Sequence, residues 1–152
     1  MVLTEKETAA IKDLQTQEQT CIDKYAKYAC EAKDPVLKDL FKELHEKEQQ
    51  HYNSLEQVLN GSVPSCNCND SDGREYNPKA TYNAMTNSED KKADCLLATD
   101  CIATEKLVSS EYNTDVFVSG NSDIRKLFAD IQVEEQNHAE MLYKYKTVNG
   151  MS

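Results

Sequence analysis

Glycine and proline are scarce, with 4 and 3 residues in a chain of 152. Flexible chains are usually rich in both, so this scarcity argues against disorder. Large apolar side chains are scarce as well. Leu, Ile, Val and Phe together number 29, about 19% of the chain, and the net charge is −10 with a pI near 4.7. Taken alone, few large aliphatics and a high net charge are the mark of a disordered chain. The two scarcities point in opposite directions, so the order of the residues has to decide.

Other absences exclude whole classes. No run approaches 18 apolar residues, which excludes a membrane-spanning helix. The opening MVLTEKETAAIKD has neither a basic segment nor an apolar one, so no secretory signal is expected. With 17 Lys and Arg against 27 Asp and Glu and no basic stripe, nucleic acid would be repelled. Six cysteines without a signal are expected to be reduced thiols rather than a disulfide framework. The length fits one domain over 1–152 with a single core. A soluble, acidic, intracellular protein is the expectation.

Four helical stretches emerge, about 4–32, 34–60, 88–118 and 122–148. Thr4-Glu5-Lys6-Glu7 has the form of a capping box, and Ile11, Leu14, Cys21, Ile22, Tyr25 and Ala29 follow at helical spacing. Asp34-Pro35 starts the second stretch, since proline's missing N–H costs nothing at the first helical position. Its stripe is Leu37, Leu40, Phe41, Leu44, Leu55 and Leu59, and Asn60-Gly61 ends it. The third stretch stops at Gly120. The fourth carries Ile124, Leu127, Phe128, Ile131 and Leu142 before Asn149-Gly150.

Between the second and third stretches lies 61–87, GSVPSCNCNDSDGREYNPKATYNAMTN. Loops of that length inside a compact domain usually have a job, and here it is geometric. A second helix of about 26 residues is roughly 39 Å long. If the third runs parallel to it, the connection must return along the whole bundle. Its 27 residues, at up to about 3.3 Å each, reach that far. Two hairpins joined by one long crossover loop give an all-α, ferritin-like four-helix bundle.

The two halves repeat without a gap at an offset of 87 residues. Glu18 maps to Glu105, Tyr25 to Tyr112, Leu40 to Leu127 and Phe41 to Phe128. Glu48 and His51 map to Glu135 and His138, and Leu55 to Leu142. Leu37 and Leu44 meet Ile124 and Ile131. Each half reads Glu, thirty residues, then Glu-x-x-His. Such periodicity is sought before any fold is assigned.

That spacing has chemical meaning. Glu and His three apart share a helix face and can bind one cation together. Here the face is the apolar one: Glu48 and His51 lie between Leu44 and Leu55, and Glu135 and His138 between Ile131 and Leu142. Charge in an apolar seam is expensive unless paired or bound to metal. One Glu-x-x-His among 15 glutamates would mark a solvated face and nothing more. Two copies, each with a Glu thirty residues earlier, form the inward-facing pattern of a di-iron or di-manganese carboxylate site. Four carboxylates and two imidazoles suit Fe, Mn or Zn better than Ca or Mg.

The segments EQTCIDKYAKYA, EKEQQH, EKLVSSEY and EEQNH together resemble the ferritin-like superfamily in its rubrerythrin-type form, across nearly the whole chain. The second half, from DCLLATDCIATEKLVSSEYN through SDIRKLFADIQVEEQNHAEMLYKYKTVNG, is similar to the spore coat protein F family of endospore-forming bacteria. The first resemblance implies two iron ions, with Mn or Zn as alternatives, held by Glu18, Glu48, His51, Glu105, Glu135 and His138. It implies that Glu48 and Glu135 bridge the two ions, that each His caps one, and that Tyr25 and Tyr112 orient the ligands. The chain departs from rubrerythrins in lacking a pair of Cys-x-x-Cys knuckles. It also has Val108 where they carry a further Glu, which counts against peroxide reduction by their route. Nothing resembles the fifth helix of the ferritin cage.

Other motifs carry less. His45-Glu46 would need His at 49 to form a metalloprotease motif, and that residue is Gln49. His45 lies about 240° around the helix from His51 and is expected to face solvent. Cys21 and Cys101, one turn from Glu18 and Glu105, are expected to be small core fillers. Cys66 and Cys68 are too close for a zinc knuckle and are either a labile thiol pair or accidental.

The expected function is that of a di-iron carboxylate oxidoreductase in which Fe(II) meets O2 or peroxide, with the six ligands as its catalytic residues. The alternative is a spore coat or surface-assembly structural protein whose bundle binds metal for stability alone. The expected setting is the cytoplasm or the spore coat, as a homodimer or coat assembly, without nucleic acid or membrane.

Overall fold

The computed structural model describes residues 1–65 and 69–152. All its regular structure is helical. Helix α1 covers Glu5–Glu31 and α2 covers Pro35–Leu59. A single turn, α3, covers Asp72–Glu75, followed by α4 at Glu89–Asp115 and α5 at Ser122–Val148. The four long helices match the four stretches expected, with two differences. The third stretch leaves α-geometry at Asp115, and Val116–Val118 tighten into a 3-10 turn. Two β-branched valines in those three residues crowd an α-helical turn, and 3-10 geometry is common at helix ends. The crossover is not wholly irregular, since α3 interrupts it.

Side chains close the helix starts as the sequence indicates. The Thr4 hydroxyl accepts the Glu7 N–H (3.2 Å) while the Glu7 carboxylate accepts the Thr4 N–H (2.8 Å). Asp34 accepts the Val36 N–H, Ser88 that of Lys91, and Asn121 those of Asp123 and Ile124. Asp34 and Asn121 are 87 residues apart, so the repeat extends to the caps of α2 and α5.

Helix α1 packs along α2, and α4 along α5. Contacts between turns fix how the hairpins meet. At one end Glu7 accepts from the Ser119 hydroxyl and the Gly120 N–H, each at 3.1 Å, and Gly61 lies against Met1. At the other, Asp94 accepts the N–H groups of Lys33 and Asp34, each at 2.9 Å, and the Tyr82 hydroxyl at 2.6 Å. There too, Asn149 accepts from the N–H groups of Thr81 and Tyr82, each at 2.9 Å, and Tyr145 donates to Asp34 at 2.7 Å. The crossover therefore leaves Gly61 at the first end and reaches Thr81 at the second, running the length of the bundle.

Two apolar clusters fill the interior. Tyr25, Phe41, Leu44 and Leu142 belong to one, and Tyr112, Phe128, Ile131 and Leu55 to the other. These are the same four repeat positions exchanged between ends, because the hairpins run in opposite senses. Leu14, Leu37, Leu44, Leu55, Ile124, Ile131 and Leu142 are fully buried. Each such side chain contributes roughly 1.5–3 kcal/mol of hydrophobic stabilisation. Between the two clusters lies a layer that is polar throughout.

Candidate metal centre

Every long helix supplies that layer. Glu18 comes from α1, Glu48 and His51 from α2, Glu105 from α4, and Glu135 and His138 from α5. None is more than 3% exposed. One ligand atom from each of Glu18, Glu48, His51 and Glu135 lies within 4.8 Å of the others. The same holds for Glu48, Glu105, Glu135 and His138. Glu48 and Glu135 belong to both groups, so the six residues expected from the repeat form two overlapping clusters.

The imidazoles face each other, with ring centroids 5.7 Å apart and planes 15° apart. His51 Nδ1 stands 2.8 Å from Glu135 Oε1 and 3.3 Å from Glu48 Oε2. His138 Nδ1 stands 2.9 Å from Glu48 Oε1 and 3.6 Å from Glu135 Oε2. Yet Glu18 Oε2, Glu48 Oε2, His51 Nδ1, Glu105 Oε2 and both oxygens of Glu135 are buried without a hydrogen-bond partner. Native interiors leave very few polar atoms so. Six of them in one layer are accounted for if they converge on cations. The donor set of hard oxygens with two imidazole nitrogens fits Fe, Mn or Zn.

Electrostatics agree with that fit. Burial, and then the neighbouring Glu48 carboxylate, pushes Glu18 well above the ordinary carboxylate range. Glu48 is raised by burial and by Glu135 and Glu105. Burial, then Glu105 and Glu18, carries Glu135 to about 8. Glu105 goes the other way, to about 2, because His138 and hydrogen bonds outweigh its burial. Both imidazoles are held well above their usual value, burial opposing and the facing carboxylates prevailing. Without cations the layer keeps protons to limit its own repulsion.

Tyr25 and Tyr112 are fully enclosed, and each reaches across to the opposite hairpin. The Tyr25 hydroxyl donates to Glu105 Oε1, and that of Tyr112 to Glu18 Oε1. Each tyrosine holds the carboxylate of the other half. Cys21 and Cys101 are buried free thiols pushed up by burial, and neither joins a ligand group among the described residues. His45 is partly buried rather than open to solvent and lies outside both groups. Cys66 and Cys68 fall outside the described residues.

One partner of the centre was not legible in the sequence. Glu134 Oε2 lies 2.5 Å from His51 Nε2, joining α5 to α2. No local pattern announces it, because the contact runs between helices and breaks the repeat: the position 87 residues earlier is Lys47.

Residues 93–152 match the Coat F domain. The match covers most of α4 and all of α5, including Glu105, Tyr112, Glu134, Glu135 and His138, and bears out the resemblance seen in the second half. No curated protein and no solved structure matches the chain.

Proposed function

We propose that this chain is a spore-coat protein whose helices form a ferritin-like four-helix bundle around a two-metal carboxylate centre. The observation that carries the metal reading is the buried layer of six ligand atoms that make no hydrogen bond, drawn from two overlapping clusters. The Coat F match over residues 93–152 supports the coat assignment. Glu18, Glu48, His51 and Glu135 would hold one ion and Glu48, Glu105, Glu135 and His138 the other, with Glu48 and Glu135 common to both. Cross-linking four helices from within, the centre would stiffen a bundle that is otherwise short of apolar side chains.

Metal analysis tests this directly. Protein stripped with chelator, loaded anaerobically with Fe(II) and desalted should retain about two ions per chain. Retention of none sinks the reading. Immunoblots of the coat layer extracted from purified spores of the producing organism should find the protein there rather than in the spore interior.

A second reading, an oxidoreductase acting on O2 or peroxide, is favoured by one observation. A cavity of about 160 Å³, bordered by Gln17, Cys21, Val108 and Glu111, opens between α1 and α4, the two helices that carry no imidazole. When bound, a pair of iron ions would supply one-electron chemistry towards O2 or peroxide. The residues would then do distinct work. The carboxylates fix the ions, Tyr25 and Tyr112 hold Glu105 and Glu18 in place, and the apolar clusters on either side keep bulk water out. Stopped-flow absorbance after mixing the Fe(II)-loaded protein with O2 or peroxide separates the readings. Ferric absorbance within seconds supports the enzyme, and inertness supports a structural metal.

A further inference from the structure

We propose that Glu134 makes the two metal positions unequal, so that the one formed by Glu18, Glu48, His51 and Glu135 fills before the one formed by Glu48, Glu105, Glu135 and His138. The inference rests on the two-metal reading and concerns the order in which the ions load.

The ligands themselves are matched. Each position has one His, one carboxylate of its own and the shared pair Glu48 and Glu135. Each unshared carboxylate takes one tyrosine hydroxyl. What differs is the support behind the imidazoles. His51 Nδ1 faces the carboxylates while Nε2 meets Glu134 Oε2 at 2.5 Å. A carboxylate behind a ligating imidazole fixes its tautomer and ring orientation and raises the basicity of the nitrogen that faces the metal. Glu134 is itself held, its other oxygen accepting the Asn69 N–H at 3.3 Å.

Asn69 belongs to the crossover, and the crossover is fastened to α5 one turn beyond Glu134. Asn137 donates to the Asn69 carbonyl at 3.4 Å and accepts the Gly73 N–H at 2.8 Å. A Cβ at residue 73 would stand 2.9 Å from Asn137 Oδ1 and 2.5 Å from Glu140 Oε2, so both side chains would have to shift to admit one. Asn69 Oδ1 in turn accepts the N–H groups of Ser71 and Asp72. The loop thus presents one backbone donor to the carboxylate that positions His51.

On the other side the repeat places Lys47 where Glu134 should have its counterpart. An ammonium has only donors and cannot accept an imidazole N–H. It turns to the crossover instead, 3.3 Å from Asp72 Oδ2. Among the described residues no group hydrogen-bonds His138 Nε2, and the bonds of that ring run through Nδ1. One position therefore has a carboxylate behind its histidine, and the other has Lys47 at the equivalent repeat position and, among the described residues, no hydrogen-bond acceptor at Nε2.

The test is anaerobic titration of the chelator-stripped protein with Co(II), followed by visible absorbance and calorimetry. Wild type should bind two ions in separate steps, at least about 10-fold apart in affinity. Glu134→Gln should weaken the first step by about 10- to 100-fold and merge it with the second, with the metal-free protein keeping its helical circular dichroism. Lys47→Glu, which puts a carboxylate at the repeat position equivalent to Glu134, should tighten the second step and leave the first alone. This variant carries the test if Glu134→Gln loses its helical circular dichroism. Equal affinities in wild type, or two unchanged steps in Glu134→Gln, overturn the inference while leaving the two-metal reading standing. Failure of wild type to bind Co(II) overturns both.

Discussion

Tyr112, near the end of α4, donates its hydroxyl to Glu18 on α1, crossing between hairpins inside a layer from which water is excluded. The other oxygen of Glu18 has no partner in the protein. Removing the phenol takes away the hydrogen bond that Glu18 Oε1 accepts from α4 at a fully buried position. Tyr112→Phe should therefore destabilise the metal-free protein by about 1–3 kcal/mol in urea unfolding. Metal-loaded protein should lose less, since a cation would satisfy Glu18 in place of the tyrosine. An equal loss in both forms would show the hydroxyl acting on packing alone.

Stability of the metal-free form should fall as pH rises from 5 to 8. Glu135 titrates near 8 in the fold against 4.5 for an ordinary carboxyl, so the stability it contributes is full below about 4.5 and is lost as pH climbs towards 8. The raised imidazoles act in the same direction: their contribution is complete below 6.5 and is lost as pH passes their higher folded values. Glu105, lowered to about 2, has the opposite sign, and its contribution fades only as pH falls below 4.5. Metal-loaded protein should reverse the trend, because ligands must shed protons to bind. Thermal melts at pH 5, 6, 7 and 8, with chelator and with metal, check both slopes.

Glu48→Gln with Glu135→Gln removes the two carboxylates common to both ligand groups. Loss of both ions is expected from metal analysis of the desalted protein. The metal-free form should gain stability above about pH 8, where Glu135 and the neighbouring Glu48 would otherwise be charged together in the buried layer. A higher melting temperature without metal, and no rise on adding it, is the expected pair of results. A variant that still binds two ions would show that the shared carboxylates are dispensable.

Leu44, Glu48, His51 and Leu55 explain why so much was legible in the sequence. A helix of fixed pitch puts residues three and four apart on one face, so the burial of Glu48 and His51 follows from the leucines on either side. The 87-residue repeat then carries the same conclusion to Glu135 and His138. The six buried Glu and His residues of the layer and the four long helices were visible on that ground, while the part played by Tyr25 and Tyr112 was implied by the family resemblance. Glu134 was not, because its partner lies on another helix and its repeat mate is Lys47. Nor was α3, whose one turn is held by Asn69 and Asn137 rather than by any apolar period. The tyrosines' choice of the opposite hairpin was also hidden, since spacing along one helix says nothing about which neighbour a side chain reaches.

Asp94, fully buried at the start of α4, ties three parts of the chain together and lies outside the ligand layer. It accepts the Lys33 and Asp34 N–H groups of the turn between α1 and α2, and the Tyr82 hydroxyl of the crossover. Beside it Lys91, also buried, donates to the carbonyls of Asn83 and Thr86, and Gly150 packs against the backbone of Ala84 at a φ of 64° that favours glycine. Asp94→Ala would leave three donors without their acceptor, the Asp34 N–H among them buried. A loss on the order of 3 kcal/mol or more is expected in denaturant unfolding. Metal stoichiometry should stay at two, because the ligand layer draws on none of these groups. A variant that unfolds as wild type does would mean the crossover is held elsewhere, and loss of metal with stability intact would mean that this end of the bundle sets the geometry of the centre.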